Sequence, residues 1–525
     1  MNESQRWIGV PASLFLELCA GTPYAYGVYS GHLKGTLRLS QKEVNEISSL
    51  GNVGLYLSLL GGVFYDRAGP KLTGLIGAIV SAFGYFLIFQ VTADNLGSPS
   101  VYTVAFLFAI AWQGCSWEDT AAIGTSVKNF PHDRGLVLGL LKSFFGLSGA
   151  IVSSLAAGFF PSSGKEVNGE ISLVMFLSVM QLTLGIGCSF FVNVLPFASR
   201  KKLGYDGDKV FKKGYYIIGS LSLYLVFTTI LQANIDSHTL ALVGSLLMIP
   251  FFVALAGLPF LKSSTEERIS EESSLLDSRN NNNQLRDRTD ESESLSAESD
   301  QLSMENLRPI ECLTRSLCFY LLFLSLFCGT GVGLMVINNI SQINKAIGGK
   351  SSFKITLVSL MNVGNSYGRM IAGYLSEKYK GYISRPVWLM YALTSMCGSQ
   401  CILALSQQEG SVPVLLVGTI LMGTSYGAFW ALGPTLCAEL FGTTHYGKNY
   451  ALLNLAPALG GYVVSVCIAG YLYDFYGEVD EDGSTTCIGK NCFESTFLIS
   501  AALCVVGIFS CLMLQRRTQQ WYAEY

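Results

Sequence analysis

The chain has 525 residues, half of them apolar and only 14% charged, with mean hydropathy +0.41. An average soluble domain carries roughly 25% charged residues, so a water-soluble globule is excluded. The 34 Lys and Arg nearly balance the 37 Asp and Glu, which rules out a nucleic-acid binder held by a basic face, since that needs a net positive patch.

After a polar start over 1–7, apolar runs of about 20 residues, the length that crosses a bilayer, occur near 8–30, 44–65, 72–92, 100–124, 136–160 and 171–195. The first contains Glu17 and no cleavage site, and reads as a span, not a removed signal. Two more runs follow near 215–235 and 239–261. Six then lie near 313–342, 353–375, 385–406, 412–434, 449–473 and 495–515. The expected organisation is an all-α integral membrane protein: a cytosolic N-terminus (1–7), a six-helix half (8–195), a basic loop with an inserted helix pair (196–261), a polar linker (262–308), a second six-helix half (309–515) and a cytosolic tail (516–525).

Six cations stand between 196 and 214, with Arg67, Lys71, Lys128, Arg134, Arg516 and Arg517 at the same predicted side. By the positive-inside bias that side faces the cytosol. Cys487 and Cys492 then share an outer or lumenal loop, where a disulfide can persist or two free thiols remain. The linker, rich in Ser, Asn, Asp and Glu, cannot bury a core. Within it Glu271, three spacers, then Leu275 and Leu276 have the form of a sorting peptide read by a clathrin adaptor, a pattern that chance also produces in acidic linkers. A vacuolar, endolysosomal or plasma membrane is the expected location.

Three stretches repeat at a near-constant offset. Ser49-Leu50-Gly51-Asn52-Val53-Gly54 returns as Ser359-Leu360-Met361-Asn362-Val363-Gly364. Gly62 with Asp66-Arg67 returns as Gly373 with Glu377-Lys378, and Gly135, Gly149, Ser153 and Gly158 return as Gly447, Gly461, Ser465 and Gly470. Two parallel halves follow, the build of major facilitator transporters, with a binding site at the half interface near mid-bilayer.

Gly62-Val63-Phe64-Tyr65-Asp66-Arg67-Ala68-Gly69-Pro70-Lys71 resembles the loop 2–3 signature of the major facilitator superfamily. There Gly62 is expected to let helices approach, while Asp66, Arg67, Gly69 and Lys71 form a cytosolic gate with Gly373, Glu377, Lys378 and Glu439 of the second half. Tyr24-Ala25-Tyr26-Gly27-Val28-Tyr29-Ser30, Asn129-Phe130-Pro131 and Gly139-Leu140-Leu141-Lys142 resemble the plant nodulin-like family. Asn338-Asn339 with Gln342-Ile343, and Glu439-Leu440-Phe441-Gly442, resemble the paired domain of its nuclear-fusion-defective-type members. The sequence departs from that pattern at Asp119, where Asn is expected, and at Glu17, where a neutral amide is expected. The family is similar to oxalate/formate and monocarboxylate transporters, which implies transport of a small solute, with carboxylates the leading class.

Ionisable residues within spans are costly and face a partner or a water-filled path. At a rise of about 1.5 Å per residue, Glu17, Asp119, Lys142 and Arg369 all lie roughly 12–14 Å from the inner surface. Lys142 and Arg369, from opposite halves, could grip an anion together. Each has a structural rival: Arg369 could neutralise Glu377 or Glu439, and Lys142 could pair with Asp119 or Glu17. Glu17 is the leading proton carrier. Glu118 and Asp119 point about 100° apart, so one of them, taken as Asp119, faces the cavity. Tyr24, Tyr26, Trp117, Asn338, Asn339, Tyr426 and Trp430 are candidate lining groups. No cofactor, metal centre or catalytic nucleophile is expected, because all four histidines fall in loops and Asn344 stands where the first glycine of a phosphate loop is required. The expected function is a secondary transporter of a small organic anion working by alternating access, with optional proton coupling. A cation carrier using Glu17, Glu118 and Asp119, and a receptor or scaffold on the same fold, are the alternatives.

Overall fold

The computed structural model describes residues 3–93, 99–130, 134–160, 168–194, 207–235, 237–261, 307–350, 353–379, 381–442, 445–479 and 485–524. The first half contains α1 (Glu3–Ala20), a 3-10 turn (Thr22–Ala25), α2 (Tyr26–Thr36), α3 (Gln41–Tyr56), α4 (Leu59–Ala68), α5 (Pro70–Thr92), α6 (Val101–Asn129), α7 (Arg134–Phe159), α8 (Asn168–Met180), a π-helical turn (Gln181–Gly185) and α9 (Ile186–Ser189). The inserted pair is α10 (Gly207–Asn234) followed by α11 (His238–Leu246) and α12 (Ile249–Ala256). The second half contains α13 (Pro309–Arg315), α14 (Leu317–Ala346), α15 (Phe353–Lys378), α16 (Arg385–Glu409), α17 (Val412–Phe441), α18 (Tyr446–Leu453), α19 (Leu455–Tyr462), a π-helical segment (Val463–Gly470), α20 (Tyr471–Tyr476) and α21 (Glu494–Glu524). A two-stranded hairpin, β1 (Glu478–Val479) on β2 (Thr485–Thr486), precedes α21.

Every predicted span coincides with helix, and among the described residues eleven helices are long and apolar enough to cross a membrane. The three predicted spans outside that set are α1 with α2, α6 and α15. These carry Glu17, Glu118 with Asp119, and Arg369, so the charges that mark the candidate site also lower the apolar signal of their helices. The first span is not continuous as expected. Gly21 and Pro23 interrupt it with the 3-10 turn, because proline lacks the N–H that a continuing helix needs. The second breaks at Leu57 and Ser58.

Local signals set the helix ends. Ser40 opens α3 with a capping box: the Glu43 N–H donates to Ser40 Oγ at 3.2 Å, and the Ser40 N–H donates to Glu43 Oε2 at 2.8 Å. Gly69 (φ +80°) ends α4, a backbone conformation that L side chains rarely adopt.

The halves meet in crossed pairs. In one, α3 packs on the π-helical segment Val463–Gly470, where a Cβ at Gly470 would stand 2.9 Å from Lys42 Cα. In the other, α7 packs on α15, where a Cβ at Gly149 would meet the Asn362 side chain at 2.4 Å. The sequence repeat relates α3 to α15 and α7 to α18 through α20, so the two contacts are one contact used twice. The inserted pair lies beside the α7/α15 seam: Tyr215 Oη donates to the Leu136 carbonyl at 2.9 Å, and the Thr229 and Ser359 hydroxyls meet at 2.9 Å. A surface groove of about 350 Å³ runs between α10 and α12 and is lined by the inserted pair alone.

The motif glycines do not act as expected. A Cβ at Gly62 meets nothing within 4 Å, and at Gly373 only Ala431 at 4.0 Å. Close backbone approach falls instead at Gly54, where a Cβ would lie 2.3 Å from the Ala109 carbonyl, because α3 meets the backbone of α6 whereas α4 meets α6 through side chains such as Phe64 on Trp117.

Candidate functional site

The centre of the bundle is organised by Arg369, which α15 presents to the half interface with only 1% of its surface exposed. Its Nε donates to Asn365 Oδ1 one turn earlier at 3.1 Å. The other two donations cross the seam, to the Lys142 carbonyl at 3.2 Å and to Tyr24 Oη at 2.8 Å. The broken first span explains the last of these, since the 3-10 turn carries Tyr24 into the middle of the interface.

Aromatic rings enclose the guanidinium. Its carbon lies 5.2 Å from the Phe145 ring, 5.8 Å from Tyr24 and 5.9 Å from Trp430. Tyr24 meets Phe145 and Tyr426 edge-on, and Tyr56 stacks on Trp430 at 5.4 Å. The indole Nε1 of Trp430 is buried without a hydrogen-bond partner. Among the described residues Arg369 forms no ion pair with a carboxylate. Three of its five N–H donors are thus held by neutral oxygens.

Lys142 is engaged differently. Its ammonium forms an ion pair with Asp119 and lies 4.8 Å from the Phe145 ring. The joint grip of Lys142 and Arg369 is therefore not assembled; the Lys142 backbone carbonyl, not its ammonium, meets Arg369. The side chains of Lys142 and Asp119 are 15% and 26% exposed, whereas Glu118 is fully buried, so Asp119 is the more open of the adjacent acids. Glu17 is fully buried beside the Asp119 carboxylate, and Lys142 and Arg369 are its further charged neighbours. The shared depth derived from helix rise brings these four groups together.

Not all the candidates gather there. Tyr26 turns into the first half, donating to the Val44 carbonyl at 3.1 Å and lying edge-on to Phe108 and Trp112. Trp117 stacks on Phe64 at 5.2 Å. Both are packing groups, because their faces of the helices look into the half and not across it. Asn338 and Asn339 lie on the seam nearer the end assigned to the outside: Asn339 Oδ1 accepts from Gln41 Nε2 at 3.0 Å and from Asn45 Nδ2 at 2.9 Å, and Asn338 Nδ2 donates to Ser465 Oγ at 3.3 Å.

At the opposite end Glu377 and Glu439 are both held by Arg385, a residue that sequence reasoning passed over. Its NH2 reaches Glu377 Oε2 at 2.5 Å and its Nε reaches Glu439 Oε1 at 2.7 Å, while Tyr522 Oη donates to Glu439 Oε2 at 2.8 Å. Arg385 opens its helix beside Pro386, and such a terminal cation is read as a positive-inside marker, not as a ligand for acids. The alternative reading of Arg369 as the partner of these acids is thereby corrected. Lys71 and Lys378 lie over aromatic rings, at 4.7 Å from Phe190 and 5.6 Å from Tyr374, and Arg67 is exposed. The Asp66 side chain, and Glu271, Leu275 and Leu276, lie outside the described residues. Cys487 and Cys492 form a disulfide. Tyr56, Phe145 and Asn365 were also missed; each is an ordinary packing residue to any reading that lacks its neighbours.

Two parallel six-helix halves, crossed at their seam around buried charge, define the major facilitator class of membrane transporter. Residues 6–256 match the Nodulin-like family model and residues 304–524 match the model described as NFD4, C-terminal domain. Together the matches take in nearly the whole chain, which belongs to the nodulin-like, NFD4-type family of the major facilitator superfamily. It is 24% identical to Protein NUCLEAR FUSION DEFECTIVE 4 of Arabidopsis thaliana, over 99% of this chain and 90% of that protein. It is 23% identical to "Probable transporter mch1" of Neurospora crassa, over 95% and 87%. Among solved structures, the xylose transporter XylE from E. coli in a partially occluded inward-open conformation superposes with TM-score 0.57 at 12% identity, covering 97% of this chain and 98% of that one. That likeness carries the fold.

Proposed function

We propose that this chain is a secondary active transporter that moves a small organic anion across a membrane by alternating access, coupled to a proton. The observation that carries the anion is Arg369: a guanidinium buried at the seam, bound only to neutral oxygens, with contacts from both halves. An incoming carboxylate gains a charge-assisted fork there. It also engages a group tied to both halves, and ligand contacts that differ between the two states are what move such an equilibrium. The name "probable transporter" on the Neurospora relative agrees with this reading.

Glu17 is the proton carrier of the proposal, since it is a buried carboxyl beside the Lys142–Asp119 pair. The cation-carrier alternative is weaker, because Asp119, one of its three oxygen ligands, is engaged by Lys142. Purified protein in proteoliposomes tests the proposal. Organic anions should compete for uptake where divalent cations do not, and Arg369→Lys should weaken cargo binding roughly tenfold or more by losing the planar fork. Uptake that survives both Arg369→Lys and Arg369→Ala removes the anion reading, and absence of any flux favours a receptor or scaffold.

For location we propose an endosomal or vacuolar membrane reached through the Leu275-Leu276 pair and a clathrin adaptor. Leu275→Ala with Leu276→Ala should move the protein to the cell surface, and unchanged imaging removes the sorting role.

A further inference from the structure

At the end of the bundle assigned to the outside, hydrogen bonds join the two halves. Asp474, on α20 of the second half, places its carboxylate at the start of α3 in the first: Oδ1 accepts from the Gln41 N–H at 3.1 Å and Oδ2 from the Lys42 N–H at 3.0 Å. These are the first two residues of the helix, whose N–H groups have no partner inside it. The positive end of the helix dipole favours a carboxylate there. Ser40 and Glu43 already satisfy the neighbouring groups through the capping box, so Asp474 completes a terminus that the first half leaves unfinished.

The surroundings extend the contact. Lys34 Nζ donates to the Thr485 carbonyl at 2.7 Å and to Gln41 Oε1 at 3.2 Å. The Thr485 strand is held by its pairing with β1, by the adjoining disulfide, and by the Gly489 N–H donating to the Ala346 carbonyl at 2.8 Å. One layer deeper, Gln41, Asn45 and Asn339 interlock across the same seam. The bonds of Lys34 to Thr485, of Gln41 and Lys42 to Asp474, and of Gln41 and Asn45 to Asn339 link the two halves, so any state open at this end must break them.

We propose that Asp474 is the latch of the outer gate: it positions the α3 terminus against the second half, and its release sets how often the outer path opens. Asp474 does not touch the central site and acts through α3. The proposal goes beyond the anion reading, and its test needs no cargo, so the two can fail separately.

The reporter is Gln342→Cys, on α14 one turn beyond Asn338 and Asn339 and 4% exposed. In the purified full chain its rate of labelling by a maleimide, taken as the increment over the same protein with Gln342, measures opening of the seam. Asp474→Ala should raise that rate roughly tenfold, Asp474→Asn, which keeps an acceptor but loses charge, about threefold, and Asp474→Glu should return it toward the parent value. Buried Cys19 and Cys504 serve as internal controls that stay unlabelled while the fold holds. If Asp474→Ala does not fold, Asp474→Asn carries the comparison. Labelling of Gln342→Cys at the parent rate in the folded variants overturns the latch. So does a rise that appears equally at Cys19 and Cys504, since that marks general loosening.

Discussion

Two buried arginines, sixteen residues apart in sequence, have opposite surroundings. Arg385 is 4% exposed and holds two carboxylates, while Arg369 is 1% exposed and is held by an amide oxygen, a carbonyl and a phenol. Arg385 joins elements of one half, α16 to α15 and α17; Arg369 joins α15 to the other half. A buried ion pair cancels its own field and is complete without a ligand. A buried cation with neutral partners has no such complement, and under the proposed function an anion completes it in one conformation better than in the other. On that proposal, the location of the compensating charge, inside the protein or arriving with the cargo, separates a structural arginine from a working one.

The largest test of that contrast is Arg385→Met. It strands the Glu439 carboxylate, whose side chain is 9% exposed, and breaking a buried pair in this way costs about 3–5 kcal/mol. Glu377 is 59% exposed and adds little. The loss should appear as a fall in melting temperature that a second change, Glu439→Gln, largely reverses.

Lys142→Met comes next. The Lys142–Asp119 pair is partly exposed, so stranding Asp119 should cost only about 1–3 kcal/mol, and adding Asp119→Asn should restore most of it. Were the double variant no more stable than the single one, Lys142 would be serving something other than Asp119, and its place in the anion site would reopen.

Arg369→Met should lower the melting temperature less than Arg385→Met does, because no carboxylate among the described residues loses a partner, yet it should abolish cargo-dependent stabilisation. Equal destabilisation by the two arginine variants would break the comparison.

Glu17→Gln should change stability least, since the amide keeps the volume and a donor toward the neighbouring Asp119 carboxylate. It mimics the protonated carboxyl, so cargo exchange should continue while uptake driven by a pH gradient fails. Loss of exchange and stability together would instead make Glu17 a counter-charge for Lys142.

Some of this was legible before any coordinates. The spans, the repeat and the common depth of Glu17, Asp119, Lys142 and Arg369 follow from apolar runs and a fixed rise per residue, both local properties. What failed was direction. Tyr26 and Trp117 sit on the expected spans yet turn into the first half, and Gly62 lies in the expected motif yet a Cβ there would meet nothing within 4 Å. A helix period says which residues share a face, but which face meets the partner depends on how the helix is rotated in the bundle.

The sequence by itself determined that this chain lives in a membrane, as two related sets of helices with charge at mid-depth, because hydrophobicity and helix rise are set residue by residue. Only the tertiary structure decided which charges are paired and which residues of the two halves meet. Arg369 meets Tyr24 across 345 positions, and Gln41 meets Asp474 across 433. Hydrogen bonds and ion pairs fade within a few ångströms, so their partners are chosen by packing between halves and not by neighbours in the chain.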